Sequence, residues 1–291
     1  MRISERTRYG LLDRVLPLGL IGALLVATAL MLRPAAPAGW SWPSGDRYDG
    51  ALAGGRLEGE GRLLWTDGAR YRGAFRADLP AGSGRLDWAD GGRYRGDFLA
   101  GRPHGQGDLV TAEGLRYRGR FRDGRAEGNG ELSGAFGTYR GAVADGVAVG
   151  RGALAMADGG RYTGEFDAGV PHGEGRMQRP DGLVLDGRFS VGRPRGSMDV
   201  TWPDGGRYTG TWAASGRHGE GTMAWPDGRG YTGPWVDDRP AGDGTFTFAD
   251  GTRFEGPAAD GEPHGDGWCV DSAGARPCRF EHGRRTRAAR E

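Results

Sequence analysis

The sequence predicts a mainly β protein, an elongated single-layer antiparallel sheet of repeated β-hairpins preceded by one transmembrane helix. Three observations predict it. Glycine supplies 59 of 291 residues, about a fifth against a typical ~7%, which disfavours ordinary close-packed layers and favours repeated turns. Aromatic and glycine positions recur with a period of 23 residues over most of the chain. One uncharged, mostly apolar run, VLPLGLIGALLVATALML, occupies residues 15–32.

At ~1.5 Å per residue that run is about 27 Å long as a helix, enough to cross a bilayer core. Arg2, Arg6, Arg8 and Arg14 precede it and only Arg33 follows closely, so the positive-inside rule puts residues 1–14 in the cytoplasm and the rest outside. The rival reading is a cleaved signal peptide with APA at 36–38 as its cleavage site, but the run is longer than a usual signal core and Arg33 interrupts the approach. An uncleaved anchor is expected, with 33–39 as a linker rich in proline and alanine. Every basic residue is arginine, and with the alanine and glycine excess this points to a high-GC bacterial source. The expected location is the cytoplasmic (inner) membrane, single pass, with the repeats in the periplasm or outside the cell. The 39 basic and 38 acidic residues are interspersed, so no overall field attracts nucleic acid.

The repeats fill residues 40–283. Aligned on Y-x-G, ten units start at Tyr48, Tyr71, Tyr94, Tyr117, Tyr139, Tyr162, Leu185, Tyr208, Tyr231 and Phe254, with one spacing of 22 after Tyr117. Counting the start as offset 0, glycine stands at offsets 2 and 11 in every unit and at offset 13 in all but one, where Met198 replaces it. Offset 4 is usually Phe or Trp, offset 15 apolar, offset 17 often aromatic, and offsets 19 and 20 commonly Asp-Gly, a turn signal between strands. Side chains alternate along strands, so offsets 0, 2 and 4 share one face of a first strand and 13, 15 and 17 one face of a second. Each unit is then a hairpin whose aromatic stripe is buried by its neighbours. A turn centred on the offset-20 glycine would set offset 15 opposite the next unit's offset-2 glycine. The segment WSWPSGDRY at 40–48 mirrors VTWPDGGRY at 200–208 and marks an incomplete first unit; Trp40 and Trp42 continue the stripe, with headgroup contact as the alternative. Residues 284–291 are expected to be a disordered arginine-rich tail.

The stretch YTGEFDAGVPHGEGRMQRPDG from Tyr162 resembles the MORN repeat, whose pattern is Y-x-G-x-W, then a glycine, H-G-x-G and D-G. Leu185, Val143 and Ala258 depart from that pattern. The resemblance implies a glycine-rich hairpin sheet and a role in scaffolding, protein association and membrane attachment, and it implies no reaction.

His104, His172, His218 and His264 all occupy offset 10, beside the offset-11 glycine expected at the turn between the two strands. They lie in separate units, too far apart to converge on a metal, so no metal site, cofactor or catalytic set is expected. The G-x-G-x-x-G matches sit between no strand and helix, and no nucleophile elbow appears. Arg47, Arg70, Arg93, Arg116, Arg161, Arg207 and Arg253 precede the repeat start, and Arg72, Arg95, Arg118 and Arg140 follow it by one. Both sets face away from the stripe. They are either a solvated face paired with acids such as Asp49, Asp97, Glu165 and Asp186 or a row for anionic lipid or cell-wall polymer, with Arg72, Arg95, Arg118 and Arg140 as the anion-binding candidates. Cys269 falls at offset 15, and Cys278 at offset 2 of a closing half-unit; in the register above those offsets face each other, so a cross-strand disulfide is expected, as suits an oxidising compartment.

The function expected from these features is a non-enzymatic, membrane-anchored scaffold that presents a long repeat surface to a protein partner. Binding of anionic lipid or cell-envelope polymer by the arginine rows is the alternative. An aromatic stripe left open would be a large exposed patch, which makes a homodimer a further expectation.

Overall fold

The computed structural model describes residues 40–41 and 45–286, and every regular element among them is a β-strand. The expected cytoplasmic segment, the apolar run 15–32, the linker 33–39 and Trp42 lie outside the described residues. No helix among the described residues is long and apolar enough to cross a membrane. The strands form an open antiparallel sheet of hairpins in which each strand pairs with its sequence neighbours. The chain divides into two compact units. The first holds the described residues through Asp158 with Glu165–Val170, and the second holds Gly159–Gly164 with the residues from Pro171 onward.

One hairpin of the first unit shows the construction. Strand Arg70–Arg76 turns at Ala77 and Asp78 into strand Leu79–Asp87, both turn residues having positive φ, 48° and 72°. Tyr71 stands opposite Leu86, Gly73 opposite Gly84, and Phe75 opposite Pro80. Across to the next hairpin, Leu86 meets Tyr94 and Gly84 meets Gly96. The expected register is thus off by two residues: offset 15 faces the next unit's tyrosine, and glycine faces glycine. The cause is the connecting turn. Here it closes with Trp88 N–H to Gly92 C=O at 2.8 Å and is centred on Asp90 rather than Gly91. The turn that leads into Arg70–Arg76 is alike, Trp65 N–H donating to Ala69 C=O at 2.9 Å about Asp67 rather than Gly68, while the Asp67 carboxylate accepts the Ala69 N–H at 3.1 Å. Moving the centre of a hairpin by one residue moves the pairing by two.

The glycine pair has a tenant. A Cβ on Gly84 would lie 2.6 Å from Tyr71 Cε2, so the ring lies flat across the pair Gly73–Gly84 and its hydroxyl donates to the Ala74 carbonyl at 2.9 Å. Phenylalanines fill the spaces between tyrosines edge-on: Tyr71 meets Phe75 and Phe98 at 5.0 Å, each nearly perpendicular. Where the aromatic ring is lost, the glycine is lost with it, whereas Phe254 keeps Gly256 and Gly267 beneath its ring. Leu185 begins its unit, and Met198, opposite Gly187, fills the room a ring would take; both are buried.

The offset-11 glycines lie inside strands, not at the turn expected there. Gly82, for example, has φ 59° at the bulge in the pairing of Arg70–Arg76 with Leu79–Asp87, a conformation that favours glycine. His104 accordingly sits in strand Arg102–Val110, three residues beyond the turn at Gly101. Successive intra-hairpin turns are tied together, the Gly101 N–H donating to Pro80 C=O at 2.9 Å and Gly124 to Pro103 at 2.8 Å.

The aromatic stripe is closed within the chain: Tyr71 is 1% exposed and Phe75 2%. The expected homodimer therefore loses its physical reason, since no open stripe asks for a cover. In the second unit the chain end also differs from expectation. Arg284–Thr286 turn back at His282 and Gly283 and pair with Arg279–Glu281, so the sheet takes in the first residues assigned to the tail; 287–291 lie outside the described residues.

Candidate functional site: the outer arginine face

With offsets 0, 2, 4, 13 and 15 committed to the aromatic face, offsets 1 and 14 point to the other side. The register sets them in one row across the first unit: Asp49, Arg62, Arg72, Arg85, Arg95, Asp108, Arg118, Glu131 and Arg140, each directly opposite the next. The candidate arginines thereby separate into two kinds. Arg118 and Arg140 are spent on ion pairs, with Asp108 at 3.0 Å and Glu131 at 2.8 Å. Asp108 is also hydrogen-bonded to Arg116, which with Arg118 holds its carboxyl below the ordinary value against the opposing effect of burial.

Arg72 and Arg95 stand in an unbroken run of four with Arg62 and Arg85. All four are exposed. Arg85 pairs with Asp87 along its own strand at 2.7 Å, whereas Arg62, Arg72 and Arg95 form no ion pair with any described residue. Like charges set directly opposite one another destabilise a sheet. Arg47, Arg70 and Arg93 form a parallel row beside them, and Arg47, Arg62, Arg70, Arg72 and Arg85 line a groove of about 750 Å³ together with Asp49 and Asp87. The corresponding row of the second unit is different, reading Arg176, Asp186, Asp199, Thr209, Thr222, Thr232, Thr245 and Glu255. Arg62 and Arg85 were not among the sequence candidates, because offset 14 joins offset 1 only once the register is known.

The histidines stay dispersed on separate hairpins; the nearest approach to a pair is His264 with His282, ring centres 5.0 Å apart. Among the described residues no group of three or more His, Cys, Asp or Glu is placed to hold a metal. Cys269 and Cys278 are joined by a disulfide with Cα atoms 5.7 Å apart. They are diagonal rather than opposite, since Gly267 faces Cys278 and Cys269 faces Arg276, the same two-residue correction seen in the repeats.

Sequence reasoning also missed offset 9, which is buried beside the offset-4 ring. It is Leu, Pro or Ala in nine units and Arg217 in the tenth. Arg217 is 3% exposed, bonds Asp238 at 3.0 Å and lies 4.3 Å from the ring centre of Trp235.

A tandem array of hairpins, most with a tyrosine laid over a glycine pair, defines a repeat protein whose inner face is structural and whose outer face is free to vary. The MORN-repeat family model matches residues 48–70, 71–93, 94–116, 117–135, 162–184, 208–228 and 231–253, more than half of the chain. The chain belongs to the MORN-repeat family. The stretches between and after the matches hold the units starting at Tyr139, Leu185 and Phe254, which carry Val143, Leu185 and Ala258. No curated protein matches the chain. Among solved structures, the TCP10 domain of Danio rerio CPAP in complex with a peptide of Danio rerio STIL is similar at 13% identity and a TM-score of 0.37, covering 86% of this chain and 98% of that one. The SAS-4 (dCPAP) TCP domain of Drosophila melanogaster in complex with a proline-rich motif of Ana2 (dSTIL) is similar at 12% identity and a TM-score of 0.28, covering 69% and 96%. Scores of this size carry nothing over to the present chain.

Proposed function

We propose that the chain is a non-enzymatic interaction module whose outer face binds a protein partner, tethered to a bacterial inner membrane by residues 15–32 with the repeats outside the cytoplasm. The observation that carries the binding reading is the division of labour between faces. The inner face buries its rings in the sheet's own glycine pairs, so the outer face is the broad surface left to meet a partner, and there the first unit sets four arginines side by side. Tethering would raise the local concentration of whatever is gathered.

The alternative, binding of anionic lipid or envelope polymer, draws on the same exposed Arg72 and Arg95. Arg118 and Arg140 support it less, because Asp108 and Glu131 already neutralise them. Photoreactive residues at Ser83 and Gln106, exposed positions on this face, test the choice in cells that make the protein. Protein adducts at both positions are expected; lipid adducts alone, or no adduct at either, would overturn the module reading.

A further inference from the structure

The row Arg62, Arg72, Arg85, Arg95 is bounded on both sides. Asp49 precedes it and Asp108 follows it in the same line of directly opposed residues. With strands about 4.8 Å apart, the positive stretch is roughly 14 Å long from first to last arginine. Beyond either end a negatively charged ligand meets a carboxylate. The ligand that fits is therefore a short polyanion and not an indefinitely extended charged surface. The recess lined by Arg47, Arg62, Arg70, Arg72 and Arg85 together with Asp49 and Asp87 sets five cations against two carboxylates and further favours a slender chain that can settle into it over a flat layer of headgroups.

We propose that this run is the docking site for a short acidic segment of a protein partner, four to five residues lying across the strands with carboxylates held between neighbouring guanidiniums. The proposal rests on the interaction-module reading and gives that partner its chemistry. An extended peptide advances about 3.4 Å per residue, so four or five residues span the row. Guanidinium and carboxylate are matched for paired, parallel hydrogen bonds, and three of the four arginines have no other ion-pair partner among the described residues. Bringing carboxylates into the row also removes the repulsion between arginines that face each other on successive strands. The remainder of the row lacks these properties: past Asp108 the signs alternate and the charges are already paired.

The test is fluorescence anisotropy of fluorescein-labelled hexaglutamate titrated with the purified full-length chain in neutral detergent, at 50 and 300 mM NaCl. Saturable binding at low salt, weakened at least tenfold at high salt, is expected. Arg72→Gln with Arg95→Gln should weaken it at least tenfold, and Arg118→Gln with Arg140→Gln less than twofold. The Arg72→Gln, Arg95→Gln chain should also melt no lower than the parent, because it loses repulsion and no ion pair; a lower melting point with lost binding calls for the charge-retaining Arg72→Lys, Arg95→Lys chain, which must bind if the proposal holds. Absence of peptide binding at 50 mM NaCl, or equal loss in both pairs of variants, overturns the acidic-segment site. If micelles containing phosphatidylserine bind through Arg72 and Arg95 while hexaglutamate does not, the row is a lipid site and the proposal falls. Protein adducts at Ser83 without hexaglutamate binding would leave the interaction module standing and remove only its acidic ligand.

Discussion

Arg217 offers the sharpest test of how the hairpins are held in register. In nine units its position is apolar, and in the first of these Leu57 N–H donates to the Asp78 carboxylate at 2.8 Å, just as Arg217 N–H donates to Asp238 at 2.8 Å. Nature thus supplies the same backbone bond with and without an arginine. Arg217→Leu should leave Asp238 with that bond and some solvent, its side chain being 16% exposed, and cost about 1–2 kcal/mol, the scale of the lost charge-assisted hydrogen bond. Asp238→Gly should be worse, because it strands a buried guanidinium, for which about 3–5 kcal/mol is typical. Two effects temper that loss: glycine relieves a positive φ of 66° worth about 1 kcal/mol, and the Trp235 ring retains the cation for about another. A net loss of about 1–3 kcal/mol follows for Asp238→Gly. The double change recreates an apolar offset 9 over a glycine turn and should lie within about 1 kcal/mol of the parent. Urea unfolding followed by tryptophan fluorescence resolves these values; at about 2 kcal/mol per molar urea, Asp238→Gly should lower the midpoint by about 0.5–1.5 M. A double variant as unstable as Asp238→Gly alone would refute the reasoning, since the penalty would then not come from an unpaired charge.

Gly84→Ala should destabilise the first unit by about 1–3 kcal/mol through overpacking against the Tyr71 ring, seen as a lowered thermal midpoint; Tyr71→Leu with Gly84→Met, copying Leu185 and Met198, should recover part of the loss. Burial pushes the hydroxyls of Tyr117, Tyr139, Tyr208 and Tyr231 up to about 12. Unfolded tyrosine ionises near ~10, so between those values the native state holds more protons than the unfolded one and stability falls as pH rises; absorbance at 295 nm should report ionisation together with loss of the β circular dichroism signal, and independent titration near pH 10 in a folded chain would contradict the buried rings. The disulfide, closing a loop between cysteines 9 residues apart, should contribute about 2.5 kcal/mol to the second unit. Intact mass should rise by two hydrogens on reduction, and an unchanged mass would show free thiols.

The fold was legible because its rules repeat. Tyrosine at offset 0, glycine at offsets 2 and 13 and Asp-Gly at offset 19 each recur often enough to declare a hairpin without knowledge of what touches what. The register was not legible, because an Asp-Gly pair suits a turn centred on either residue; the choice of Asp67 over Gly68 is made by the closing backbone hydrogen bond and by the Asp67 carboxylate on the Ala69 N–H. That single residue determined much else. It decided that tyrosine lies over a glycine pair, that Cys269 and Cys278 meet diagonally, and that Arg62 and Arg85 join Arg72 and Arg95 while Arg118 and Arg140 find acids.

Function in such an array is carried where the repeat permits variation. Positions that bury the ring or supply its glycine floor cannot change alone, as the joint replacement by Leu185 and Met198 illustrates. Their recurrence therefore reports on folding and says nothing of partners. Offsets 1 and 14 face solvent and bear no packing duty, so a run of four arginines there is not required by the hairpins; the second unit builds the same sheet with threonines. The second unit also opposes like charges, Asp186 with Asp199, but there Arg176 and Thr209 supply partners, whereas Arg62, Arg72 and Arg95 have no ion pair among the described residues. The arginine run therefore has to be explained by something outside the sheet, and a short, negatively charged partner is the smallest explanation that its two bounding aspartates allow.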